Sequence, residues 1–130
     1  MLTIRNIHKT FGNNTILRGV DLDIAKGQVV VILGPSGSGK TTFLRCLNAL
    51  EVPEQGSICF EREPIVSINF ATQHSKKDIL ALRRKSGMVF QQYNLFPHKT
   101  ALENVTEGPV YVQRKPLPQA RAEALQLLDK

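Results

Sequence analysis

Apolar residues change their spacing several times along the 130-residue chain, and each change marks an expected element. Residues 1–11 alternate well enough for a β-strand, with Leu2, Ile4 and Ile7 as its core-facing positions. Gly12-Asn13-Asn14 is a turn signal, and residues 15–24 read as a second strand that ends at the turn Ala25-Lys26-Gly27. Residues 28–33, Gln-Val-Val-Val-Ile-Leu, break the alternation. A near-continuous β-branched run fits a strand buried on both faces, as in a parallel sheet covered by helices. A glycine-rich loop follows. Phe43, Leu44, Leu47 and Leu50 then recur at helical spacing and predict one buried stripe over residues 41–50.

Val52-Pro53-Glu54-Gln55-Gly56 ends that helix and leads into a strand over residues 57–61. Ile65, Val66 and Ile68 suggest a short strand. Ser75 followed three residues later by Asp78 has the form of a capping box and predicts a helix over residues 76–84. Residues 86–91, with Met88, Val89 and Phe90, are expected as a strand. Residues 93–100, containing Pro97, are expected as a loop, and 101–105 as a helical turn. Pro116 and Pro118 introduce a last helix in which Leu117, Ala120, Ala124, Leu125 and Leu128 share a face. That helix is still in register at Asp129-Lys130, as expected of an N-terminal piece of a longer domain.

Composition narrows the class. Hydrophobic residues make up 42% and charged residues 22%, which fits a globular domain and excludes a disordered, collagen-like or coiled-coil chain. The longest aliphatic run, residues 29–33, is far short of the roughly 20 residues that cross a bilayer, and the start lacks an apolar segment of signal-peptide length. Direct membrane insertion is therefore not expected. The net charge of +6 is local: between residues 75 and 85, Lys76, Lys77, Arg83, Arg84 and Lys85 face one acid, Asp78, and leave +4. Such a cluster can contact phosphates, or it can be the solvated face of a short helix. No aromatic residue interleaves it, which argues against nucleic acid as a partner. Cys46 and Cys59 form no CxxC pair and are expected as buried, reduced thiols. His8, His74 and His98 are too scattered to predict a zinc site.

The segment with chemical content is Gly34-Pro35-Ser36-Gly37-Ser38-Gly39-Lys40-Thr41-Thr42, which fits G-x-x-x-x-G-K-[ST] between an expected buried strand and an amphipathic helix. Glycines let the backbone curl around an anion without Cβ clashes. Successive N–H groups then point inward, and the helix that starts near Lys40 adds the positive end of its dipole. Lys40 can reach the β- and γ-phosphates, Thr41 can place its hydroxyl on Mg²⁺, and Thr42 can donate to an inner phosphate. Charge-assisted hydrogen bonds of this kind contribute roughly 1.5–3 kcal/mol each. The loop indicates nucleotide binding and leaves open what is done with the nucleotide. A small nucleotide kinase is one alternative, since Gly-Pro-Ser-Gly-x-Gly-Lys also resembles the guanylate kinase loop. Such kinases place the loop near the N-terminus, whereas here 33 residues with strand patterning come first.

In this order of features the chain resembles the ATP-binding subunit of an ABC transporter. Phe11, in Lys9-Thr10-Phe11-Gly12, sits where that family has an aromatic residue that stacks on adenine. Residues 17–24 with Lys26-Gly27-Gln28 look like the family's second strand and its turn into the P-loop strand. The Walker A loop is intact. Gln91, within Met88-Val89-Phe90-Gln91-Gln92-Tyr93, matches the Q-loop glutamine. Cys46-Leu47-Asn48 and the run from Glu103 to Pro109 resemble the importers of polar amino acids.

The resemblance implies an α/β fold: a P-loop NTPase core with an incomplete parallel sheet, carrying an N-terminal antiparallel β subdomain. Residues 1–130 would be the N-terminal part of one ATP-binding domain. It also implies ATP and Mg²⁺ as ligands, with Thr41 and Gln91 at the metal and Gln91 sensing the γ-phosphate. The partners would be a second ATP-binding subunit and the transmembrane permease subunits, reached through residues 93–100. The place would be the cytoplasmic face of the membrane, peripherally attached. The family's LSGGQ signature, Walker B strand, catalytic Glu and switch His are not among these residues. Residues 124–129 resemble Walker B only superficially, since they have helical periodicity and include Gln126. The isolated chain is therefore expected to hold Mg-ATP weakly without turning it over. The competing expectation is an inert truncated product that only binds nucleotide or a partner.

Overall fold

The alternation at the start of the chain produces a β-hairpin in the computed structural model, which describes residues 1–130. Strand β1 (Leu2–Phe11) pairs antiparallel with β2 (Asn14–Ile24), from Leu2↔Ile24 at one end to Phe11↔Asn14 at the turn. On its other edge β1 pairs antiparallel with β3 (Gln55–Phe60), and β3 pairs with β4 (Val66–Asn69), giving the sheet order β2-β1-β3-β4. Ile4, Ile7 and Ile58 point to one face and are fully buried, each contributing about 1.5–3 kcal/mol. Leu2 is only partly buried.

Helix α1 (Lys40–Leu47) covers that face with Phe43 and Cys46, and helix α2 (Lys76–Arg83) adds Leu82. The buried stripe of α1 thus differs from the expected one. Leu44 and Leu50 are almost half exposed, and Cys46, three residues after Phe43, takes the inward position. Burial pushes the Cys46 thiol up to about 11, so it is an inert core group. Cys59 is also a free thiol but only partly buried, against the expectation for it.

Two expected strands do not form. The β-branched run at residues 28–33 joins no ladder, and Val29, Val31 and Leu33 are 88, 71 and 86% exposed. Ile32, on the alternate side, packs against the core. Residues 86–91 are likewise unpaired, with Val89 exposed. The physical reason is the same for both. A strand buried on both faces needs neighbours on both edges, and every pair in this sheet is antiparallel and lies among β1–β4. The α/β class and the antiparallel subdomain stand, while the parallel-sheet segment is present as sequence without a ladder.

The chain divides into two compact units, Met1–Met88 and Val89–Lys130. In the second, α3 (Ala101–Glu107) runs into a π-helical turn (Gly108–Val112) and is followed by α4 (Leu117–Leu128). Ala120 and Ala124 are the buried residues of α4, whereas Leu117, Leu125 and Leu128 are about half exposed. The small alanines, not the leucines, form the inward stripe. Lys99 pairs with Glu107, and its Nζ lies 5.0 Å from the Phe96 ring centroid.

Both units carry complete capping boxes. Ser75 Oγ accepts from the Asp78 amide while the Asp78 carboxylate accepts from the Ser75 amide at 2.8 Å; Thr100 and Glu103 do the same for α3. These backbone and hydroxyl hydrogen bonds hold both carboxyls below their ordinary values. A depressed carboxyl supports the folded form above its unfolded pKa and loses that support as pH falls through the folded value. Helical ellipticity is thus expected to stay flat down to about pH 4 and to decline below it. Asp78→Asn together with Glu103→Gln should flatten that decline, and an unchanged acid profile in the double variant counts against the caps as its source.

Candidate functional site

The glycine-rich loop follows the unpaired apolar run and enters α1 directly. Gly39 is the N-cap of α1 at φ +90°, a left-handed conformation that disfavours any side chain. A Cβ there would lie 2.9 Å from Ile16 Cγ2 and 3.2 Å from Leu17 Cδ2. The loop therefore sits tightly on β2, and the last glycine of the motif is required for two separate reasons.

Lys40 closes the loop from within. Its Nζ donates to the Gly34 carbonyl at 2.8 Å and to the Pro35 carbonyl at 2.7 Å, with Ser38 Oγ at 3.4 Å. Of the amides from Ser36 to Thr41, that of Ser38 donates to a backbone carbonyl, Pro35 O at 3.3 Å. The remaining amides are not consumed by the fold. Ser36, Gly37, Ser38, Gly39, Lys40, Thr41 and Thr42 line a groove of about 340 Å³ together with Phe11 and Ile16. Phe11, at the end of β1, is 46% exposed, so its ring is available from the groove. Free amides, one ammonium and an accessible aromatic ring suit a ligand with an anionic tail and a flat apolar body.

Gly34 and Pro35 lie on the other side of the loop, in an apolar depression shared with residues 30–33 and Phe43. Thr41 is exposed and Thr42 partly buried, at the first turn of α1. All the loop residues singled out from the sequence therefore belong with Phe11 to the first unit. Gln91 does not: it is exposed, in a bend near the start of the second unit. Tyr93, Leu95 and Phe96 after it are 85, 62 and 46% exposed.

Sequence reading missed one feature of the site. The Lys9 ammonium, on a residue only 9% exposed, lies 5.0 Å from the Phe11 ring centroid and is paired with Glu54 at 2.9 Å. Partial burial alone would raise the Glu54 carboxyl, yet hydrogen bonds from Lys9 and the Thr10 amide win and hold it below its ordinary value. The two residues are 45 positions apart, and no spacing rule connects them.

Comparison with known proteins agrees with the local geometry. The ABC transporter family profile matches residues 17–130. The L-cystine import ATP-binding protein TcyC of Bacillus subtilis is 59% identical over all 130 residues, which cover 51% of its length. A probable amino-acid ABC transporter ATP-binding protein of Haemophilus influenzae is 60% identical over the whole chain and 50% of its own length. Among solved structures, the dimeric bacterial ABC transporter cassette MJ0796 superposes with a TM-score of 0.77 at 34% identity, covering 99% of this chain and 56% of that one. The chain spans about half the length of the relatives it matches.

Proposed function

Since this chain belongs to the ABC transporter family, we propose that it is the nucleotide-holding N-terminal portion of an ATP-binding subunit for amino-acid import. The observation that carries this reading is the single groove lined by Phe11 and residues 36–42, with loop amides left free of the fold. In it the amides of Ser36, Gly37, Gly39, Lys40 and Thr41 and the Lys40 ammonium hold the β- and γ-phosphates of ATP. Gly34 and Pro35 supply the carbonyls that aim Lys40, and Thr42 donates to an inner phosphate. Thr41 offers its hydroxyl to Mg²⁺, and Phe11 stacks on adenine. Mg²⁺ supplies neutralisation of the phosphate charge.

Gln91 is assigned the second contact to Mg²⁺ and the γ-phosphate in the whole protein. The exposed Tyr93, Leu95 and Phe96 fit a contact with the permease subunits. A second ATP-binding subunit is the other partner. Location on the cytoplasmic face of the membrane follows from these partners, and no helix here is long and apolar enough to cross a membrane. The bare edges of residues 28–33 fit cover by parts of the domain that lie in the relatives' additional length. Turnover draws on motifs that this chain does not carry, so binding without hydrolysis is its expected behaviour.

Calorimetric titration of the chain with Mg-ATP, followed by a phosphate-release assay, tests the reading. Saturable binding at one site without phosphate release is expected. Absence of saturation at millimolar ATP overturns it, and phosphoryl transfer to a nucleotide acceptor would favour the kinase alternative.

A further inference from the structure

The end of β1 is held in an unusual way. β3 stops pairing with β1 at His8↔Gln55, so the last residues of β1 have no strand on that edge. Glu54 takes over. Its amide donates to the His8 carbonyl at 3.1 Å, and its Oε2 accepts from the Thr10 amide at 2.9 Å. One residue thus continues the ladder with its side chain to the position next to Phe11. The other carboxylate oxygen, Oε1, accepts from Lys9 Nζ at 2.9 Å, and the same ammonium donates to the Val52 carbonyl at 2.8 Å.

An ammonium withdrawn from water needs such partners, because a buried unpaired charge is expensive. Lys9 has two, and it also lies over the Phe11 ring at 5.0 Å, within the range of a cation–π contact. Glu54 therefore fixes Phe11 twice, through the neighbouring backbone and through the cation over its ring. An ammonium against one face leaves the opposite face for a ligand.

We propose that Lys9 and Glu54 are positioning residues that brace Phe11 as the base-stacking platform of the groove. This rests on the proposed nucleotide site. A braced ring is ordered before the ligand arrives, so less side-chain freedom is lost on binding. The brace acts on the base and not on the phosphates, since neither Lys9 nor Glu54 lines the loop groove.

The test compares Mg-ATP with inorganic tripolyphosphate, which has the anionic tail without the base, by calorimetry on the whole chain. The unaltered chain is expected to bind ATP more tightly than tripolyphosphate. Lys9→Met and Glu54→Gln should each weaken ATP about three- to tenfold and leave tripolyphosphate within twofold, and Lys9→Arg should restore most of the ATP affinity. Equal losses for both ligands would show a general disturbance and overturn the brace, as would unchanged ATP affinity in both variants. Glu54→Gln keeps the side-chain shape and guards against unfolding in the lysine variant. If the unaltered chain binds neither ligand, the nucleotide site itself fails. If it binds both equally and Phe11→Ala changes nothing, the stacking role of Phe11 fails while the phosphate loop survives.

Discussion

Lys40→Ala is expected to remove measurable ATP binding, a loss of at least 100-fold. Two contributions act together. The ammonium is the only charge placed inside the loop residues, and a charge-assisted hydrogen bond to a phosphate contributes roughly 1.5–3 kcal/mol, or about 10- to 150-fold. The same group also shapes the loop. Its bonds to the Gly34 and Pro35 carbonyls fasten the first turn of the loop to the first turn of α1. Without them the amides of residues 36–41 are no longer held in a common orientation before the anion arrives. The remaining phosphate contacts then have to order the loop as they form. Lys40→Arg keeps the charge but replaces a compact ammonium by a broad planar fork, which does not fit between two carbonyls and a phosphate, so recovery should be slight. Calorimetry with Mg-ATP reads this directly, with thermal unfolding as the control for the fold. None of residues 34–42 belongs to the buried core, so the melting temperature of the variant should move by no more than a few degrees. ATP affinity within twofold of the unaltered chain would refute the assignment of residues 34–42.

Motifs and caps were legible because they are local. The turn of the hairpin and the Ser75–Asp78 box each depend on residues within a few positions, and both formed as expected. Thr100 and Glu103 have the same T-x-x-E spacing, so the cap of α3 was equally available in the sequence. What failed depends on neighbours. The apolar, β-branched run at residues 28–33 predicts a strand buried on both faces that does not form, because a ladder requires a partner edge that periodicity cannot supply. Of the expected stripes, Phe43, Ala120 and Ala124 face inward, while Leu44, Leu50, Leu117, Leu125 and Leu128 stay about half exposed and Cys46, outside the expected stripe of α1, takes an inward place. The Lys9–Glu54 pair is a product of β1 and β3 lying side by side, and it is visible only once the strands are paired.

Gly56→Ala should be the most destabilising single-methyl change in the first unit, with a loss of about 3–5 kcal/mol, a large part of the usual 5–15 kcal/mol. Gly56 has φ +104°, where an L side chain is strained by about 1–3 kcal/mol. The space is also taken. A Cβ would lie 2.5 Å from the Asn6 carbonyl oxygen and 2.6 Å from that of Arg5. These are main-chain atoms at the point where the β1–β3 register shifts between Arg5 and His8, so no side-chain rotation can clear them. Relief requires β1 to move away from β3, which loosens Ile4, Ile7 and Ile58 at the centre of the core. The same movement disturbs His8 and Glu54, and with them the support of Phe11. Gly27→Ala provides the comparison: Gly27 has φ +80° but nothing within 4 Å of its Cβ position, so only the backbone strain of about 1–2 kcal/mol applies. Urea unfolding of the two variants separates steric cost from conformational cost. If Gly56→Ala loses no more than Gly27→Ala, the close approach of the two backbones is not what fixes the register of β1 against β3.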